Sequence, residues 1–440
     1  MACAGRVEGQ DYKWLSNNNF MVEMRGHFGA FYHHHFEMKR FDAHFPAFEA
    51  SFYKSTFGQH EWEATYNYPY IGFTLYRANY DHNLEGNPEV GEALGDVTAV
   101  YPFINYPLIT HNESQLTLKV GAGLGWLSKT FHPIENHYNL SIGSRLNAAI
   151  NLSFEYRQQF GNSLMSVASL GLTHFSNGAT KSPNYGLNTI SGALGLAYYL
   201  RGARQNLTPS KRPDYHPFEF DGKKWFYVDV TYGIGVKDVS QTLGKDERYT
   251  VHDFSVMALA KITPNSSAGL DFNLTQDYSD QALKDHYVDD NGAIYIIQKY
   301  YEQDHYLTDT VSIKAYQMVK PSFGLCYQMT MDRLSFNFEL GVHIDLRNRI
   351  GEGGERRFVT ETQNGKLVIP AWNLATDVSK GQYYERIGIR YHLFHNTYAS
   401  ITLTAHAIRA DMLCFGLSYR FNNKYYFNHE KSYRHPPGLH

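Results

Sequence analysis

Two polar side chains at the end of an apolar stripe are where this sequence could do chemistry. Leu164 to Asn177 reads Leu-Met-Ser-Val-Ala-Ser-Leu-Gly-Leu-Thr-His-Phe-Ser-Asn. The even positions are mainly apolar (Leu164, Ala168, Leu170 and Leu172, with Ser166 among them) and then His174 and Ser176. The odd positions from Val167 are small and partly polar: Ser169, Gly171 and Thr173. Side chains alternate faces along a strand, so His174 and Ser176 share the apolar face. Residues two apart on one face are separated by about 6.5–7 Å, most of which an imidazole spans. A serine hydroxyl is a poor nucleophile at neutral pH and needs such a base. Asn177, Gly178, Asn184 and Gly186 follow closely and are candidates for oxyanion donors. A hairpin centred near Lys181 puts Asn188 opposite His174, where an amide can orient the ring without supplying a negative charge. A histidine and a serine also suit an ordinary strand end, so the spacing alone does not decide.

The elements that must position these residues are strands. Leu116, Leu118, Val120, Ala122, Leu124 and Trp126 alternate with Thr117, Lys119, Gly121, Gly123 and Gly125. Ile142, Leu146, Ala148, Ile150, Leu152 and Phe154 alternate with Arg145, Asn147, Asn151 and Glu155. Comparable runs cover Phe226–Lys237 and Leu334–Leu346. Such runs are long enough for a tilted membrane span, and their ionic face suits a watery or packed lumen. Tyr101, Phe103 and Tyr106 resemble part of an interfacial aromatic girdle. With 35 Tyr, 28 Phe, 36 Gly and no run of eighteen apolar residues, the composition fits a membrane barrel rather than a helical span. A formal net charge of −3 gives no sign of a nucleic-acid partner.

The expected fold is all-β: a transmembrane antiparallel up-and-down barrel of about sixteen strands, spanning 20–421. Strands are expected near 20–33, 46–54, 69–79, 95–106, 114–127, 142–157, 164–177 and 187–200. After a polar stretch with Pro209, Pro213 and Pro217, more follow near 224–237, 249–262, 266–276, 312–329, 333–347, 380–393, 396–408 and 411–421. Residues 1–19 form an N-terminal periplasmic segment and 422–440 a C-terminal tail. Two eight-strand halves joined at 201–223 are the variant of this fold, although no residue-level repeat supports a duplication. With both termini in the periplasm, the long connections 81–94, 128–141, 238–248, 277–311 and 348–379 face outward. Connections 55–68 and 201–223 break that asymmetry. The dyad then lies at the outer-leaflet interface, on the lipid-facing side.

Other residues add little chemistry. Cys3, Cys326 and Cys414 lack zinc spacing, and whether the last two pair stays open. His33-His34-His35 is a weak metal motif, because neighbours on a strand point opposite ways. The first residues carry neither a basic nor an apolar leader segment, so export implies that a signal peptide was removed or that the start is artificial.

His174-Phe175-Ser176-Asn177-Gly178-Ala179-Thr180-Lys181-Ser182-Pro183-Asn184-Tyr185-Gly186-Leu187-Asn188 closely resembles the signature of the PagL-type lipid A 3-O-deacylases, or acyloxyacyl hydrolases. The likeness is greatest to the longer Bacteroidota members. Similar wording occurs at 44–49, 86–90, 101–107 and 142–148, so the resemblance covers about residues 20–200. It implies a barrel in the outer membrane of a Gram-negative bacterium that hydrolyses an ester-linked acyl chain of lipid A, without metal or cofactor. By position, Ser176 matches the nucleophile, His174 the general base and Asn177 an asparagine near the oxyanion site. The family's acidic third member, a glutamate in the best-known enzymes, falls on Asn188. An amide there leaves three outcomes open: catalysis with an amide, another carboxylate recruited, or activity lost.

The leading expectation is therefore an esterase acting on lipid A or lipopolysaccharide among outer-membrane lipids. The competing one is a catalytically weak or inactive accessory barrel with protein partners in an outer-membrane assembly. A porin and a phospholipase with the same dyad are further readings. Large or charged lumen residues such as Arg145, Glu155, Tyr227, Glu339 and His343 argue against a porin.

Overall fold

The computed structural model describes residues 20–200 apart from 34–35, 57–59, 83–89, 91, 133 and 162. Beyond residue 225 it describes 226–238, 248–277, 319–344, 383–406 and 409–421, with five short strands between them. Expectations for 1–19, 86–89, 201–223 and 422–440, and for Cys3 and His34-His35, lie outside these residues.

The first half contains β1 (Phe20–Phe31), β2 (His44–Ser55), β3 (Tyr70–Asn79), β4 (Asp96–His111), β5 (Ser114–Leu127), β6 (Leu146–Phe160), β7 (Leu164–Ser176) and β8 (Leu187–Tyr199). The second contains β9 (Phe226–Asp238), β10 (Arg248–Thr263), β11 (Ser266–Asp277), β12 (His286–Val288), β13 (Ile294–Glu302), β14 (His305–Ile313), β15 (Val319–Met331), β16 (Leu334–His343), β17 (Thr362–Gln363), β18 (Lys366–Leu367), β19 (Tyr383–Phe394), β20 (Thr397–His406) and β21 (Arg409–Phe421). Sixteen of these are antiparallel barrel strands, the number the alternation predicts, and they close as two rings of eight. In the first ring β1 returns to β8, with Met21 opposite Tyr199. In the second β21 returns to β9, with Phe421 opposite Val228. The remaining five strands form a sheet from the long outer connections of the second ring. Residues 312–313, expected in a barrel strand, end β14 instead.

Each strand buries one face and exposes the other, because ring closure leaves every strand an inside and an outside. Outward residues are large and apolar: Met24, Phe28, Phe73, Leu170 and Leu194 in the first ring, Leu325, Leu340 and Leu417 in the second, all more than half exposed. Two closed rings with apolar belts are stable only in a bilayer, where closure satisfies every edge.

The lumens are filled with charge. In the first ring three carboxylates (Glu23, Glu49, Glu155) meet three cations (Arg25, Lys119, Arg157). Glu155 lies 2.6 Å from Arg25 and 2.7 Å from Arg157. Above this layer Phe31, Phe41, Phe45, Tyr80, Leu94, Leu127, Ile142 and Phe175 form an apolar plug at the outer mouth. In the second ring Asp229 holds Arg390 at 2.6 Å and Arg420 at 2.7 Å, while Arg386 gathers Asp253, Asp271 and Glu339. Cys326 and Cys414 are buried in this lumen and form no disulfide among the described residues.

Two expectations are corrected. Tyr101 and Phe103 point inward and are buried, so they fill the first lumen rather than forming a girdle. The outward residues beside them are Val100 and Pro102, which the aromatic pattern concealed. Ile142 precedes β6 and joins the plug instead of a lipid face.

The rings touch at Ser182–Asp238 and, separately, around Trp62 and Met331. Before β3 a short helix, Glu61–Thr65, docks on the second ring. Trp62 Nε1 donates to Asp332 Oδ2 at 3.1 Å, Tyr66 to the Asn265 carbonyl at 2.6 Å, and Asn265 Nδ2 to Thr65 Oγ1 at 3.1 Å. Trp62, Ile104 and Met331 bury together there, with Tyr106, Val120, Met329 and Phe336 around them. The described part of the long connection between β2 and β3, anomalous in the sequence, is thus an inter-ring arm.

Candidate functional site

The site is built from the end of β7 downward into the ring. Phe175 points inward and is fully buried in the plug, 6.3 Å from the Tyr80 ring. Gly125 makes room for it, since a Cβ there would lie 2.8 Å from Phe175 Cδ1. That anchor fixes the strand end and turns its neighbours His174 and Ser176 outward.

Across the hairpin His174 is the register partner of Asn188, and on its other side it faces Ile150. His174 Nδ1 and Asn188 Oδ1 are 2.6 Å apart. An amide oxygen only accepts, so this contact places the ring proton on Nδ1 and leaves Nε2 as the basic nitrogen. Gly186, at φ +76°, passes so close to the ring that a Cβ would lie 2.8 Å from His174 Cε1. Gly186 is therefore a clearance for the histidine.

Ser176 is on the outward face, yet it is only 1% exposed. Its Oγ has no hydrogen-bond partner among the described residues. The loop 177–186 that follows explains the cover. Asn177 spends its side chain on Lys181, giving Nδ2 to the carbonyl at 2.8 Å and accepting the Lys181 N–H at 3.4 Å. Its backbone N–H goes to Asn184 Oδ1 at 3.1 Å. Asn177 thus braces the turn. Asn184 keeps its Nδ2 buried and unpartnered among the described residues. Gly178 takes φ +64° and Ala179 φ +61°, which folds the chain back sharply.

Two neighbours clamp this loop. From the β5–β6 connection, the Leu140 and Ser141 carbonyls accept from Tyr185 N–H at 3.3 Å and Gly186 N–H at 3.0 Å. From the second ring, Asp238 accepts the Ser182 N–H at 2.9 Å, and Gly178 packs so tightly on Leu413 that a Cβ would lie 2.9 Å from it. The sequence contained no signal for Asp238, which is 56 residues from Ser182. Chemically, the site offers an unbonded hydroxyl, an imidazole in a defined tautomer and an unspent amide donor.

An outer-membrane β-barrel with a candidate hydrolytic site at its outer rim is the class these features define. Residues 47–197 match the family model of lipid A 3-O-deacylase (PagL), and residues 369–423 that of the acyloxyacyl hydrolase C-terminal domain. The likeness to the lipid A 3-O-deacylase family thus falls on the first ring, from β2 into β8. No curated protein sequence matches the chain. Among solved structures, the neisserial surface protein NspA is 9% identical and covers 41% of this chain and 97% of its own, with a TM-score of 0.29. The outer membrane enzyme PagL is 16% identical over 39% of this chain and 97% of its own, at 0.28. The Pseudomonas putida toluene transporter TodX is 7% identical over 94% of each, at 0.17.

Proposed function

We propose that the chain is an esterase that removes an acyl chain from lipid A at the outer-leaflet face of the first ring. The observation that carries this reading is the His174–Asn188 contact of 2.6 Å, with Ser176 two residues further along the same face. Ser176 Oγ attacks the ester carbonyl as His174 Nε2 takes its proton. The oxyanion is held by Asn184 Nδ2 together with the Gly178 backbone N–H. Collapse releases the sugar hydroxyl, which receives the proton from His174, and leaves an acyl-serine. Water, deprotonated by His174, attacks that ester; collapse releases the fatty acid, and the departing Ser176 oxygen takes the proton back from His174. Asn188 orients the ring and carries no charge to stabilise the imidazolium, so turnover is slower than with an acid at this position.

Ser176→Ala should abolish fatty-acid release, a loss of about 10³-fold or more. The readout is mass spectrometry of lipid A from cells expressing either form. The same lipid A profile with both forms would rule out this mechanism.

The accessory-barrel reading draws on Asn188 and on the burial of Ser176. It predicts a stoichiometric protein partner on purification and no hydrolysis. A porin is disfavoured by the ion-paired lumens, in which Glu155, Arg157, Asp229 and Arg420 are all fully or almost fully buried.

A further inference from the structure

We infer that Asp238, from the second ring, is a positioning residue for hydrolysis at Ser176, so that the working site is assembled from both rings. This rests on the esterase reading above. Asp238 closes β9 and is 3% exposed. It makes three hydrogen bonds to the loop after the nucleophile. Its carboxylate accepts the Ser182 N–H at 2.9 Å, its backbone N–H donates to the Ala179 carbonyl at 2.7 Å, and its own carbonyl accepts Ser182 Oγ at 3.0 Å.

What those bonds fix matters more than their number. Ser182 lies between Lys181, whose backbone holds the Asn177 side chain, and the Pro183-Asn184 pair. Asn184 in turn holds the Asn177 backbone next to Ser176. A shift at Ser182 therefore moves the amide offered to the oxyanion and the backbone beside the nucleophile. Two successive residues at positive φ, Gly178 and Ala179, make the loop a conformation that its surroundings must impose. Asp238 touches no reacting atom and acts through Ser182.

A role as mere glue between the rings predicts something different. The rings are also joined separately, where Asp332 binds Trp62. Loosening that joint should not affect the loop.

The experiment uses the full chain in detergent–lipid A micelles. It reads kcat and KM for fatty-acid release, and the rate at which a fluorophosphonate labels Ser176. Asp238→Ala and Asp238→Ser are both too short to accept the Ser182 N–H. Each should lower kcat and labelling by about 10–100-fold, the range expected when a buried donor loses a charged acceptor. KM should stay within about threefold, the signature of lost transition-state geometry. Asp238→Asn keeps an acceptor oxygen and should return kcat to within about fivefold of wild type. Asp332→Ala, which removes the acceptor of Trp62, should leave kcat within about twofold. Wild-type hydrolysis that Asp238→Ala and Asp238→Ser leave intact overturns this inference alone, as does an equal loss in Asp332→Ala. A wild-type protein that neither hydrolyses lipid A nor takes the label overturns the esterase reading with it.

Discussion

The two rings have the same strand number and closure, yet their seventh hairpins differ. In the first ring β7 runs into the loop 177–186, with its two positive-φ residues, its asparagine brace and the dyad. In the second ring β20 ends at His406 and β21 starts at Arg409, so no comparable loop fits between them. Their lumens differ too. The first has one continuous charged layer under a large apolar plug. The second has separate charged groups around Asp229 and Arg386 and, among the described residues, small buried apolar clusters. The lesson is a division of labour. The ring with the plugged mouth carries the candidate site, and the other lends it a wall at Leu403 and Leu413 and a clamp at Asp238.

The largest expected effect tests whether the lumens are separate. Glu155→Ala takes from Arg25 and Arg157 one of the two carboxylates they share, Glu23 remaining, and Asp229→Ala takes from Arg390 and Arg420 the one they share. Each should cost about 3–5 kcal/mol, because a buried charge loses a partner. Hydrogen exchange should show the loss in β1–β8 for the first variant and in the second ring for the other. Equal loosening of both rings by either variant would break the comparison.

Next comes the joint between the rings. Trp62→Ala empties the small apolar contact with Ile104 and Met331 and leaves Asp332 with His60 but without its indole donor. A drop of about 3 kcal/mol in unfolding free energy is expected for a buried indole. An unchanged midpoint would mean the inter-ring arm contributes nothing to docking. Smaller again is the histidine contact. Asn188→Ala should raise the barrier by about 1–3 kcal/mol, since the His174 Nδ1–H loses its acceptor. Asn188→Asp should speed turnover by about tenfold, because a charge then faces the imidazolium. A slower Asn188→Asp enzyme would argue that the amide is the better partner here.

The smallest effect is a pH dependence at the joint. His60 Nδ1 is 3.4 Å from Asp332 Oδ1, and this hydrogen bond raises the His60 pKa above the ordinary histidine value. Partial burial would raise the Asp332 pKa, but its bonds to His60 and Trp62 outweigh that and lower it. The His60 contribution is complete below the unfolded histidine pKa and is lost as pH rises through the raised folded value. The Asp332 contribution is present above the unfolded aspartate pKa and is lost as pH falls through the lowered one. Stabilisation therefore peaks in mildly acid solution. Both groups are about half exposed, so screening keeps it to about 0.5 kcal/mol or less. Melting of wild type against Asp332→Asn should show the difference shrinking from pH 6 to 8.5, and a constant difference would exclude the ion pair as its source.

Strands were legible because alternation reports which face of a residue is inside, and that holds for Leu116–Trp126 and Leu334–His343 alike. The facing of Asn188 on His174 was legible from hairpin counting alone. Ring size was not, because each strand meets only its two neighbours whether eight or sixteen close the circle. The aromatic pattern misled at Tyr101 and Phe103, since a packed lumen wants rings as much as an interface does. Asp238 was invisible because its partners lie across a joint that no local pattern encodes.

Closing as two rings also changes the order in which the chain can fold. Met21 must find Tyr199, and Val228 must find Phe421, whereas one ring of sixteen would have to join the two extremes. Doubling a closure loop costs only about 0.6 kcal/mol in entropy, so the gain is not chiefly in final stability. It is kinetic: contacts nearer in sequence form sooner. Once Met21 meets Tyr199 the first eight strands have no free edge left to mispair. The first ring can thus be a finished, aggregation-resistant body while residues beyond 225 are still unassembled.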